Sequence, residues 1–208
     1  SIAGQPMEDP RLLNLYGAYD GQYIIVQSTN NACVSLRWFR DTFGREAARQ
    51  AQAAGCGIYP YLDRLAAAAP AGAGGLIWLP YLAGEQSPVW DTQARGVFYG
   101  AGLETDYPSF IRAVLEGVAF SQRHCLEVVL DRAARPDIIP LGGGAANSPL
   151  WCRIFADVLG VPVARLRSNE TETLGDIIIA AQAMGIREIA PDFGKVLAAD
   201  GEVFWPDD

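Results

Sequence analysis

Histidine is nearly absent from this 208-residue chain: His124 is the only one. A His-rich metal site is therefore excluded by count, and no metal centre is expected. Cys125 stands beside it. Neighbours on a helix point about 100° apart and do not face each other, so a Cys–His nucleophile pair is not expected either. The four cysteines, Cys33, Cys56, Cys125 and Cys152, show no CxxC spacing. Three of them sit in apolar helical patterns, where cysteine behaves as a small hydrophobe. Free thiols in a cytoplasmic protein are the expectation. Basic clusters are scarce as well. The formal net charge is −8, the pI is about 4.7, and the longest basic group runs only from Arg132 to Arg135. Phosphate-backbone binding needs more than that, so no nucleic-acid partner is expected. No apolar run reaches the roughly eighteen residues of a membrane span. Nothing at the start resembles a signal peptide. Internal repeats and low-complexity segments are absent too.

Half of the residues are hydrophobic, enough for a sizeable core, and the length suits one domain over residues 1–208. The first twenty residues are turn-rich and lack periodicity. Tyr23 to Gln27 reads as a strand. Ser28-Thr29-Asn30-Asn31 then offers N-caps for a helix to about Phe43, stopped by Gly44. Glu46 to Ala69 reads as helix, broken near Gly55-Cys56-Gly57 and Pro60. Pro70 to Gly75 reads as a connector. Leu76 to Leu79 reads as a fully apolar, buried strand, and Arg95 to Gly100 as another. Tyr107-Pro108-Ser109 opens the longest helix, to about Arg132, with Phe110, Ile111, Val114, Leu115 and Val118 in the i, i+3, i+4 pattern. Glu116 on that helix reads as a solvated acid, with a functional acid as the alternative. Val161 to Leu166 reads as a strand. Ser168 to Thr173 reads as the cap of a helix to Met184, within which Gly175 permits a close approach. The last twenty residues read as a tail. Strands alternating with helices argue for an α/β sheet with helices on its faces.

The chain is organised around one strand–turn–helix. Ile138 to Leu141 is followed by Gly142-Gly143-Gly144-Ala145-Ala146 and then by Asn147-Ser148-Pro149-Leu150-Trp151. Asn147 or Ser148 can cap the new helix, and Pro149 suits its first turn. That helix carries Leu150, Ile154, Val158 and Leu159 on one face. Without Cβ atoms at the turn, another molecule's polar group can approach the backbone, and the helix start offers N–H groups to a phosphate. The dinucleotide fingerprint fits badly. Gly142 and Gly144 match its first two glycines, Asn147 replaces the third, and Glu170 lies beyond the next strand. A classical NAD site is rejected and a nucleotide-phosphate site is kept. A polar loop, Gly84 to Asp91, supplies two carboxylates, Glu85 and Asp91, with Arg95 nearby. It reads equally as a surface salt bridge or as a loop at a cleft. An acid–base pair of Glu85 and Asp91 would need a closed pocket around both.

Three stretches together resemble the FGGY family of carbohydrate kinases, which includes xylulose, gluconate and glycerol kinases. They are Leu79-Pro80-Tyr81-Leu82-Ala83-Gly84-Glu85-Gln86-Ser87-Pro88 with Trp90-Asp91 and Ala94-Arg95-Gly96-Val97-Phe98-Tyr99-Gly100; Arg112-Ala113-Val114-Leu115-Glu116-Gly117-Val118-Ala119-Phe120; and the glycine turn with Ala156-Asp157-Val158-Leu159-Gly160-Val161-Pro162-Val163 and Glu172-Thr173-Leu174-Gly175. The resemblance covers roughly residues 20–190. It implies a ribonuclease H-like, actin-type fold, an incomplete C-terminal lobe with ATP in a cleft. Gly142, Gly143, Gly144, Ala145, Asn147 and Ser148 would lie against the adenine nucleotide. The implied reaction moves the γ-phosphate of ATP to a sugar or polyol hydroxyl with Mg²⁺ and an aspartate base. The family's Gly-Asp segment and its Gly-Thr-Ser hairpin are missing here; the Gly175-Asp176 pair belongs to the late helix and matches a different family position. The expectation is a part of such a kinase without base or sugar pocket, inactive alone, with an unpaired edge beside Tyr23 to Gln27 that invites a homodimer. The alternative is a non-catalytic interaction module with an actin-type half-fold.

Overall fold

The computed structural model describes residues 2–17, 21–166, 171–186 and 201–207. Where one domain is expected, the chain divides into two compact units, Ser1–Arg135 and Pro136–Asp208.

In the first unit, the Tyr-Ile-Ile-Val run forms a strand as its composition predicts. It is not an edge. β1 (Ile2–Ala3) and β2 (Leu13–Tyr16) pair antiparallel on either side of β3 (Tyr23–Val26). The expected open edge beside Tyr23 is thus corrected, because segments that read as turns fill it. β2 gives no burial signal in sequence: Leu13 and Leu15 are 45% exposed. A reciprocal clamp secures it, with Met7 N donating to Asn14 Oδ1 and Asn14 Nδ2 donating to Met7 O. Leu12, Ile25 and Val128 form the cluster beneath this sheet.

α1 (Ala32–Phe43) stops at Gly44 as expected. The Ala-rich stretch breaks at Gly55–Gly57 into α2 (Arg45–Ala53) and α3 (Ile58–Ala68), with Pro60 tolerated in the first turn of α3. Both α1 and α3 pack on α4 (Tyr107–Leu130), whose Ile111, Val114, Leu115 and Val118 are fully buried. Asp106 caps α4 by accepting from Ser109 N at 2.9 Å.

β4 (Ile77–Leu79) and β5 (Val97–Tyr99) form an antiparallel ladder. The buried strand expected here is half exposed: Trp78 points inward, while Ile77 and Leu79 do not. Trp78 stacks on Trp38 at 5.4 Å and meets Phe98 at 4.3 Å. Behind it α4 passes so close that a Cβ at Gly117 would overlap the Trp78 carbonyl oxygen.

In the second unit, β6 (Ile139–Leu141) runs parallel to β7 (Val163–Arg165) through α5 (Pro149–Leu159). β8 (Val203–Phe204) adds antiparallel to β7, so the expected tail holds a strand with Phe204 buried. α6 spans Thr171–Ala183. Its expected caps at Ser168, Asn169 and Glu170 lie outside the described residues. At Gly175 a Cβ would meet no described atom within 4 Å, so no close approach is made there among the described residues. The architecture is mixed α/β. Among the described strands there are three small sheets rather than one, and only β6–β7 is parallel. No described helix is long and apolar enough to cross a membrane.

Candidate functional site

The glycine turn follows β6, which is tied to β7 at both ends: Ile139 N donates to Pro162 O at 2.8 Å, and Leu166 N to Leu141 O at 2.9 Å. Gly143 then takes φ 72°, ψ −162°, a conformation essentially closed to residues with a Cβ. A short 3₁₀ turn, Gly144–Asn147, leads to Ser148. Sequence left the cap open between Asn147 and Ser148. It is Ser148, whose buried hydroxyl accepts from Trp151 N at 3.0 Å, with Pro149 beginning α5. Asn147 is exposed.

Ala145 and Ala146 are buried, and Cys152 Sγ donates to Ala146 O at 3.7 Å, which pins the turn from beneath. The buried face of α5 is rotated from the expected one. Trp151, Ile154, Phe155 and Leu159 are buried, while Leu150 and Val158 are half-buried, because the two aromatics stack at 6.0 Å and lead the packing. Among the described residues nothing stands in front of Gly143: a Cβ there would meet no described atom within 4 Å. The Gly144 and Ala145 amides have no acceptor among the described residues. A side-chain-free bend, uncommitted N–H groups and a helix start together suit an anionic ligand.

The Glu85, Asp91 and Arg95 loop is organised differently. Its ends pair as backbone, Glu85 N to Asp91 O at 2.8 Å and Asp91 N to Glu85 O at 3.0 Å. Glu85 turns inward and is 3% exposed. Thr29 Oγ1 donates to its Oε2 at 2.6 Å, and Asn30 N and Gln86 N donate to Oε1 at 3.0 and 2.7 Å. Asn31, an expected helix cap, instead donates its amide to Gly84 O at 3.2 Å. Asp91 is exposed and accepts from Gln93 N. Arg95 donates to the Thr92 and Ala94 carbonyls rather than to a carboxylate. The structure therefore buries Glu85 and leaves Asp91 exposed, and makes Glu85 a clamp on the β3–α1 turn.

Glu116 corrects its reading as a solvated acid. It is 7% exposed and lines a cavity of about 440 Å³ between β4 and α4. Its Oε1 accepts from Arg112 Nε at 2.5 Å and from Gly72 N at 3.0 Å. The signal available in sequence was its position, four residues after Arg112 on an otherwise apolar helix. His124 lines the same cavity. Cys125 does not share that environment: it is buried, its thiol donates to Ser87 O, and burial pushes its pKa up to about 11.

Residues 5–184 match the FGGY family of carbohydrate kinases, C-terminal domain. The chain is 30% identical over 193 residues to a gluconokinase of Bacillus subtilis, covering 89% of this chain and 36% of that protein. It is 30% identical over 184 residues to a xylulose kinase of Staphylococcus epidermidis, covering 88% of this chain and 35% of that one. A ligand-bound xylulose kinase from Lactobacillus acidophilus superposes with a TM-score of 0.81 at 29% identity, over all of this chain and 40% of its own. The chain spans about a third of the length of the sequence relatives it matches.

Proposed function

This chain belongs to the FGGY family of carbohydrate kinases, and from that premise we propose that it is the nucleotide-binding part of an ATP-dependent kinase acting on a sugar or polyol hydroxyl. The reading includes a ribonuclease H-like, actin-type fold for the whole enzyme. One observation carries it: the bend at Gly143, which is open among the described residues and where two amides lack a described acceptor beside the start of α5. In this reading the adenosine lies over Gly142, Gly143 and Gly144, and Asn147 reaches it from the exposed side. Ala145 and Ser148 contribute by fixing the turn, since one is buried and the other caps the helix.

The bend would position phosphate oxygens by backbone N–H groups and the helix dipole, which is how such transfer is assisted by protein. Mg²⁺ enters on the nucleotide's own phosphates. Among the described residues no three His, Cys, Asp or Glu side chains are grouped to hold a metal. The Gly-Asp and Gly-Thr-Ser segments that the family uses for the base and the phosphate hairpin have no counterpart in this sequence. The chain alone is therefore expected to bind MgATP and not to phosphorylate a sugar. The four cysteines are not joined in disulfides, which fits a cytoplasmic setting.

Calorimetric titration with MgATP tests the reading: a saturable signal at millimolar nucleotide is expected. A folded chain that gives no heat at that concentration overturns it. A second reading, an interaction module, has its own support in the exposed apolar face of Ile77, Leu79, Val97 and Tyr99 on the β4–β5 ladder. It predicts concentration-dependent dimers in sedimentation runs, unchanged by ATP.

A further inference from the structure

We propose that the hollow between β4 and α4 binds a small, uncharged ring compound that carries one N–H or O–H donor. Its volume of about 440 Å³ falls in the range of ligand sites. Ile77, Leu79, Pro80 and Phe120 give it walls that are overwhelmingly apolar. Within those walls sits one uncommitted acceptor. Glu116, itself 7% exposed, has Oε1 engaged by Arg112 and by Gly72 N, whereas Oε2 meets no donor among the described residues. Oε2 is not sealed from solvent, and a ligand donor would take the place of the water that reaches it.

The same features decide against other occupants. A sugar would bring several hydroxyls into walls that satisfy few of them. A nucleotide would need cations, and Arg112, on the same helix as Glu116, is already paired with it. Because that pair is neutral overall, the ligand needs a donor but no charge.

The site does not depend on the nucleotide reading: a chain that ignores ATP can still bind here. The probe is indole, with indene as its counterpart of the same shape lacking the N–H. Amide chemical shifts of the full chain are followed during each titration. Indole is expected to shift Gly72, Gly117 and Ser121 saturably, and to bind about tenfold more tightly than indene, the increment of a hydrogen bond to a charged acceptor. Glu116→Gln should narrow that preference. Should this variant fail to fold, Phe120→Ala serves instead, since Phe120 is 58% exposed and its loss should weaken both probes without unfolding the chain. Equal affinity for the two probes would reduce the hollow to a greasy crevice and overturn the proposal. So would shifts located elsewhere, or no saturable shift up to the solubility of indole.

Discussion

Gly143 is the residue on which the nucleotide reading turns, and its cost and its use separate cleanly. A Cβ there would meet no described atom within 4 Å, so among the described residues a substitution is opposed by the backbone conformation alone. Gly143→Ala is expected to destabilise by about 1–3 kcal/mol. It should also weaken MgATP binding, because relaxing φ moves the Gly144 and Ala145 amides. Differential scanning calorimetry with and without nucleotide measures both effects. Equal ligand-induced rises in Tm for variant and parent would remove the turn from the binding site. Cys125 offers a second test at this scale. A thiol at about 11 is a thiolate only on the order of one part in a thousand at pH 8. Iodoacetamide should therefore label exposed Cys33 first and reach Cys125 only on unfolding, as mass spectrometry of timed samples would show.

Elements were legible in the sequence where a face is buried by contacts local to one pattern. α4 carries its i, i+3, i+4 stripe openly, and the breaks at Gly44 and Gly55–Gly57 follow from glycine alone. β1, β2 and β8 were not legible. They are short, and β2 shows its apolar residues to solvent. What makes them strands is a partner distant in sequence, as in Leu13 opposite Val26 and Phe204 opposite Val163. The glycine turn was readable as a bend, but the choice of Ser148 over Asn147 depended on which side chain the α5 packing buries. Glu85 looked like half of an acid pair because spacing says nothing of facing, and its partners Thr29 and Asn30 lie more than fifty residues away. Gly117 was quoted only as part of a motif, yet it sets the distance between two elements. Gly117→Ala forces its methyl into the Trp78 carbonyl, so α4 and β4 must separate. A loss of about 1–3 kcal/mol is expected in denaturant unfolding, alongside exposure of the Trp78 indole. An unchanged midpoint would mean that the contact is softer than its geometry.

At the scale of the whole chain, acid should act unevenly. Asp9 is buried, accepts from Arg11 Nε at 2.9 Å and Nη2 at 2.7 Å, and also meets Arg132. The Arg11 guanidinium holds its carboxyl well below the ordinary 3.8. Ser109 lowers Asp106 by hydrogen bonds, and Arg49 lowers Glu46 from its ordinary 4.5. A carboxyl whose folded pKa lies below its unfolded one stabilises the fold above the unfolded value. That contribution fades as pH falls from about 4 toward the folded pKa. All three groups belong to Ser1–Arg135. Arg11 also binds Asp131 at 3.0 Å, so protonating Asp9 loosens the link between the N-terminal turn and the end of α4. On acidification from pH 5 to 2, amide signals of Leu115 and Val118 should therefore vanish at a higher pH than those of Ile154 and Phe155 in the second unit. Asp9→Asn, which cannot titrate, should start less stable at pH 7 and lose less between pH 5 and 2. If instead the second unit opens first, or Asp9→Asn keeps the parent's full acid slope, these ion pairs do not govern how the chain unfolds in acid.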